Sequence, residues 1–292
     1  MVRGGVGVVA SRRRQTRGAS VAGAGRGGEE TGGGKTTNSV MLSYTLSKMD
    51  KKVLLIDLDP QANATDLLLT TMTNIYKKKP DFKETLFESI KSNNPKEALI
   101  NVKDNLDLLP SYSDLQNYER FLYDNFSDDY SQDHHLTNFI SKIKNEYDFV
   151  FLDIPPQLNK FTDNALVASD FVIVILQTQE RALKGAEKYI EHLLALQDDY
   201  NLDIDLLGIL PVLQQNGSEL DLDVLQDATE SFGDNNIFKT HIKQMNRLKR
   251  FDRTGITDNT KDIHDKRIHA IYSELIAETL ERITIFEKNK EH

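Results

Sequence analysis

From Thr36 onward the chain alternates between apolar residues at helical spacing and short continuous apolar runs. Asn38–Met49 places Val40, Met41, Tyr44 and Leu46 on a helix, and Val53–Leu58 is an apolar strand. Helices are expected over Asn63–Thr71, Thr85–Ile90 and Leu136–Lys144, with a short one from Pro95. Leu106–Leu109, Phe149–Asp153, Phe171–Leu176 and Leu206–Leu210 read as further strands. Between and after them, Ala182–Gln197 and Leu220–Ser231 read as helices, and Ile237–Thr240 as an edge strand. The chain closes on a helix over Ile268–Phe286, with apolar residues at 268, 271, 272, 275, 276, 280 and 283. Strands that are apolar throughout need cover on both faces, and alternation with helices supplies it. The expected fold class is α/β, a doubly wound and mostly parallel sheet flanked by helices.

Residues 1–30 have a different texture. Gly, Arg, Ala, Ser and Val dominate, and apolar periodicity is nearly absent. Val6–Ala10 has strand composition but is separated by an Arg/Gly-rich stretch from the motif that follows. We therefore expect 1–30 to be a disordered or atypical basic segment and 31–292 to be one domain. The 292 residues include no cysteine, which excludes a disulfide framework, thiolate zinc and a cysteine-bound cluster, and fits a cytoplasmic protein. No apolar run approaches the length of a membrane span. The net charge of −9 argues against nucleic acid coating every face. It leaves room for a local basic patch, and Lys239, Lys243, Arg247, Lys249, Arg250 and Arg253 are interrupted only by the acid Asp252.

The chemistry is concentrated in Gly32-Gly33-Gly34-Lys35-Thr36-Thr37 and in Asp57-Leu58-Asp59-Pro60-Gln61. Glycines let backbone N–H groups approach phosphate oxygens that a Cβ would obstruct. Lys35 supplies a point charge for the β- and γ-phosphates, the Thr36 hydroxyl suits Mg²⁺, and the following helix aims its positive end at the same anion. Asp57 and Asp59 end one apolar strand, and Asp153 ends another, where open α/β sheets place their sites. Asp153 is the candidate to hold Mg²⁺ through water. Asp59 is the candidate to polarise an attacking water and to face the metal, and Asp57 to support metal or loop geometry. The division of labour between those two carboxylates stays open. A nucleotide hydrolase is the reading these spacings favour.

With these motifs the chain resembles the ParA/MinD class of deviant Walker ATPases, and within it the ParA-type partition ATPases. The matching stretches are GGGKTTNSVMLSYTLSKM, KVLLIDLDPQANAT, NLDLLPS, YDFVFLDIPP and IFKTHIKQMNRL. The resemblance implies a P-loop NTPase fold that uses ATP and Mg²⁺ and forms an ATP-dependent sandwich homodimer. It also implies non-specific binding to double-stranded DNA on the nucleoid, and stimulation by a centromere-binding ParB-type adaptor. It places Pro211 near the adenine and part of the DNA surface at 239–253, with Lys243, Arg247, Lys249 and Arg250 as phosphate contacts. The chain departs from the family at one point. Glu30 stands where members carry a signature Lys that reaches the partner's phosphates, with Thr31 in place of the first Gly. A carboxylate there opposes ATP-driven dimerisation and turnover.

Other functions fit less well. A MinD-like membrane-cycling ATPase needs a basic amphipathic tail, whereas the last helix carries Glu274, Glu278, Glu281 and Glu287. An iron-protein reductase needs cysteines. A small-molecule ATP-dependent synthetase on the same fold would show no DNA-stimulated turnover, and nucleotide-dependent dimerisation would speak against a non-enzymatic DNA-binding scaffold.

Overall fold

The computed structural model describes residues 3–9, 18–25, 34–179, 181–213 and 215–290, the first two segments as backbone only. Its strands are β1 (Arg3–Val9), β2 (Gly18–Gly25), β3 (Val53–Asp57), β4 (Ile100–Lys103), β5 (Leu106–Leu109), β6 (Phe149–Asp153), β7 (Phe171–Gln177), β8 (Asp205–Leu213) and β9 (Ile242–Lys243). The α-helices are α1 (Lys35–Lys48), α2 (Asn63–Asn74), α3 (Leu86–Lys91), α4 (Tyr118–Asn125), α5 (Asp129–Asp133), α6 (His135–Ile140), α7 (Lys160–Val167), α8 (Ala182–Tyr200), α9 (Glu219–Phe232), α10 (Asn246–Thr254) and α11 (Ile263–Lys290).

One sheet takes all the described strands, in the order β4-β5-β3-β6-β2-β1-β7-β8-β9. β3 pairs in parallel with β5 and β6, and β7 with β8. The sheet is thus mostly parallel and flanked by helices, as the apolar runs required. β3, β6 and β7 are buried along their whole length. Helices α1, α2, α10 and α11 pack together as one group, while α4 to α9 form a second.

β1 and β2 come from the segment that the sequence reading sets apart as disordered or atypical. β2 pairs in parallel with β7 and β6, and β1 pairs antiparallel with β2 and β7. Gly18-Ala-Ser-Val-Ala-Gly-Ala-Gly25 has no continuous apolar run to announce a strand. Pairing with sheet neighbours is a tertiary contribution that a periodicity test does not detect.

The expected edge strand at Ile237–Thr240 is not formed; the edge is Ile242–Lys243, and Ile237 makes only a single bridge to Ile209. The reason lies in α11. Glu278 accepts the N–H groups of Lys239 and Thr240 at 2.8 and 2.9 Å, and Arg282 Nη2 donates to the Ile237 carbonyl at 2.6 Å. Those backbone groups are therefore satisfied by side chains instead of by β8. Smaller differences have local causes. α7, unannounced in the sequence pattern, is capped by Asn159, whose side chain accepts from the Thr162 N–H. α11 begins at Ile263 and buries Ile268, Tyr272, Leu275, Ile276 and Ile283, an apolar stripe at helical spacing.

Candidate functional site

Gly34 is the described end of the glycine-rich loop. Its φ of +69° is left-handed, and a Cβ on it would lie 3.4 Å from Val212 Cγ1 and from Asn38 Nδ2. Glycine supplies that conformation without strain, so the loop can turn into α1 directly against the end of β8. Gly32, Gly33, Glu30 and Thr31 lie outside the described residues. Lys35, Thr36 and Thr37, all half-buried, form the first turn of α1. Among the described residues no side chain caps that helix, which leaves its N-terminal amides for an anion.

Three carboxylates gather at the carboxyl ends of the adjacent strands β3 and β6, and two of them, Asp153 and Asp59, act on Lys35. Asp57 of β3 is directly opposite Asp153 of β6 in the parallel register. Ser39 donates to Asp153 Oδ1 at 2.9 Å, and the Thr36 hydroxyl is close enough to lower the same carboxyl. Burial pushes the Asp153 carboxyl up to about 6 against the lowering effect of those hydroxyls, and the charge of Asp59 adds to the rise. Burial also lowers the Lys35 ammonium, while the nearby charges of Asp153 and Asp59 oppose that fall. The Asp59 carboxyl is raised by burial, and the Gln61 N–H and Lys35 pull it back.

Asp57 is the most constrained of the three. It is fully buried and accepts from the Asp59 N–H at 3.1 Å and from both the N–H and hydroxyl of Thr65 at 2.8 Å. Ala62, at the start of α2, has no side chain able to cap it, so the strand-end carboxylate does this from outside the helix. The Thr65 hydroxyl also accepts from the Ser111 N–H at 2.8 Å. Burial and the neighbouring Asp153 raise the Asp57 carboxyl, against the Thr65 hydrogen bonds. The carboxylate of half-buried Asp59 accepts only from the Gln61 N–H at 2.9 Å among described hydrogen bonds. The two aspartates thus have different surroundings: Asp57 builds the loop and the start of α2, and Asp59 keeps an oxygen toward the site.

Pro211 is buried on β8 beside Val212, the residue touching Gly34. The turn after β8 is organised by Asp221, which is fully buried. Its Oδ2 accepts from the N–H groups of Gly217 and Gln215 at 2.7 and 3.1 Å, and its Oδ1 from the Thr178 hydroxyl.

The basic segment divides. Lys243 ends β9, and Lys249 and Arg250 lie on the exposed face of α10; all three are exposed and, among the described residues, none forms an ion pair. Arg247, also predicted as a phosphate contact, is turned inward. Its Nε bonds Asp265 Oδ1 at 2.7 Å and its Nη2 bonds Asp262 Oδ2 at 3.0 Å. Its charge is used within the fold, tying α10 to the start of α11.

Ser39, Thr65, Ser111 and Asp221 were not singled out from sequence. Ser39 follows Thr36 by three residues and so shares its helix face, a signal present in the sequence. Ser111 meets Thr65 from 46 residues away and Thr178 meets Asp221 from 43, so only the fold brings those pairs together. Among the described residues no cluster of three or more acidic, histidine or cysteine side chains is placed to hold a metal by itself. Nor is any described helix long and apolar enough to cross a membrane.

Residues 28–206 match the family model described as an AAA domain. The chain is similar to the chromosome-partitioning ATPase Soj of Thermus thermophilus, with 30% identity over 257 residues that cover 87% of this chain and 94% of that protein. An ATP complex of a McdA variant from Cyanothece superposes with a TM-score of 0.69 at 21% identity, covering 86% of this chain and 93% of that one. That identity speaks for the fold alone. Cobyrinic acid a,c-diamide synthase from Mycobacterium smegmatis, solved with ADP and magnesium, gives a TM-score of 0.59 at 27% identity, covering 70% and 80%.

Proposed function

The chain belongs to the ParA-type partition ATPases, and from that premise we propose that it hydrolyses ATP with Mg²⁺ to drive DNA segregation. In this reading it dimerises on ATP, binds double-stranded DNA without sequence preference on the nucleoid, and is stimulated by a centromere-binding ParB-type adaptor. The observation that carries the reading is Asp153, held by the Ser39 hydroxyl beside Thr36, with Lys35 under the charge of both Asp153 and Asp59.

The donor set fits magnesium. A hydroxyl and a carboxylate are hard oxygen donors, and Mg²⁺ characteristically takes one or two of them and completes its shell with water and substrate phosphates. Thr36 would hold it directly and Asp153 through water. When bound, it neutralises charge on the β- and γ-phosphates. Lys35 and the free amides at the start of α1 bind the phosphate oxygens, the role that the sequence also assigns to Gly32 and Gly33. Asp59 orients the attacking water, while Asp57 keeps the Asp59 backbone in place through its N–H. Phosphoryl transfer asks mainly for positioning and charge neutralisation, which these groups supply. Pro211 lies on the adenine side. Exposed Lys243, Lys249 and Arg250 contact DNA phosphates, and Arg247 holds the helix that presents two of them.

The test is ATP turnover by the full chain with and without non-specific duplex DNA, alongside Lys35→Ala. Slow turnover that DNA raises and Lys35→Ala abolishes supports the reading. Absence of ATP binding in the native chain rules it out. The likeness to cobyrinic acid a,c-diamide synthase favours a second reading, an ATP-dependent synthetase on this fold. Turnover indifferent to DNA would favour that one.

A further inference from the structure

Asn38 is a weak helix former in the first turns of α1, yet it is only 1% exposed. Its side chain is engaged at both ends. Nδ2 donates to the Gly34 carbonyl at 2.6 Å, and Oδ1 accepts from the Tyr272 hydroxyl at 2.9 Å. The Asn38 backbone N–H donates to the same carbonyl at 2.9 Å. The amide orientation is fixed by chemistry, because a carbonyl only accepts and a flipped Asn38 would set two acceptors against each other. Tyr272 belongs to α11 and is fully buried. Burial raises its hydroxyl far beyond the ordinary tyrosine value, so the O–H persists as a donor.

The carbonyl being held is the one before Lys35. In a planar trans peptide the C=O and the next N–H point in opposite directions. Holding the Gly34 carbonyl along the α1 axis therefore turns the Lys35 N–H outward from the helix start, the direction from which an anion arrives. Gly34 sits at φ +69°, and glycine has the widest freedom of backbone conformation. An external brace on this peptide consequently matters more than it would after any other residue.

We propose that Tyr272 is a positioning residue for phosphate recognition, acting through Asn38 to fix the Gly34–Lys35 peptide with its N–H toward the nucleotide. The proposal rests on reading the site as a triphosphate site. It assigns to the last helix, remote in sequence from the loop, control over how tightly the loop grips its anion.

The experiment is calorimetric titration of the full chain with ATP and Mg²⁺, for the native protein, Tyr272→Phe, Asn38→Ala and the double variant, with a nucleotide-free melting curve for each. Tyr272→Phe keeps the ring and removes only the hydroxyl. Both single variants should bind ATP about three- to tenfold more weakly, with Tyr272→Phe losing one hydrogen bond and Asn38→Ala, losing both of its side-chain bonds, at the upper end. The double variant should be no weaker than Asn38→Ala alone, because the two residues act in series. Melting temperatures that fall while ATP affinity stays native would mean that the hydroxyl only stabilises the fold, and would overturn the relay. Independent, additive losses would overturn it too. Asn38→Ala probes the same relay from its other end, so a poorly folding Tyr272→Phe does not shield the idea. A native chain that binds no ATP overturns the proposed function together with the relay. Native binding left intact in both single variants overturns the relay alone.

Discussion

Arg247 and Asp265 are joined by a 2.7 Å hydrogen bond from Nε to Oδ1, linking the basic helix α10 to the first turn of α11. Asp265 is fully buried, and it also accepts from the Thr257 hydroxyl at 3.0 Å and the Asn259 N–H at 2.9 Å. Removing the guanidinium strands a buried carboxylate. Arg247→Ala is expected to destabilise the fold by roughly 2–4 kcal/mol, a little under the ~3–5 kcal/mol for breaking a fully buried ion pair, because Arg247 is partly exposed. Chemical denaturation measures this directly.

The same pair gives a pH dependence. Burial alone would raise the Asp265 carboxyl, but hydrogen bonds from Arg247, Asn259 and Thr257 with the Arg247 charge hold it below the ordinary carboxylate range. The native state thus binds this proton less readily than the unfolded chain. Its contribution to stability is fully present above the ordinary carboxylate value and is lost as pH falls through the depressed native value. Asp265→Asn should flatten the acid limb of the stability profile, and thermal melts across that limb will show whether it does.

Exposed cations on and beside α10 should behave differently. Lys249→Ala and Arg250→Ala are expected to leave stability within about 0.5 kcal/mol, as for surface positions without partners. Each should weaken duplex binding equally for all sequences and reduce the slope of log affinity against log salt by about 0.9. Fluorescence anisotropy at several salt concentrations tests both. An unchanged slope would remove that side chain from the DNA surface.

Asp57 and Asp59 should separate stability from turnover. Asp57→Ala frees a costly buried carboxyl but leaves the Thr65 and Asp59 donors unmet, for a net loss of roughly 1–3 kcal/mol. Asp59→Ala disturbs only one described hydrogen bond, at Gln61, so folding and ATP binding should hold while hydrolysis slows. Denaturation midpoints set beside single-turnover rates make the comparison.

Gly255 is a backbone position with no alternative. Its φ of +77° with ψ of 171° is accessible essentially to glycine, and an added Cβ would lie 2.7 Å from Thr71 Cα. The next residue, Ile256, donates its N–H to the Thr71 hydroxyl at 3.0 Å. Gly255→Ala should cost about 2–4 kcal/mol and separate the α10 end from α2. A melting temperature close to native would show that α2 gives way instead.

The alternation of apolar runs and helical stripes determined the α/β class, the parallel sheet and the order of most elements, because burial on both faces requires those patterns. It also picked out the candidate site, since Gly34, Lys35, Thr36 and the strand-end Asp57, Asp59 and Asp153 are local in sequence to the elements that position them. Tertiary structure decided which of two neighbouring aspartates is enclosed by backbone donors and which retains a face toward the site. It turned Arg247 from the basic surface into the fold, used Glu278 and Arg282 to prevent an edge strand at 237–240, and brought Tyr272 onto Asn38. Each of these depends on a partner distant in the chain. A local pattern records what a residue can offer; only packing fixes which group accepts it.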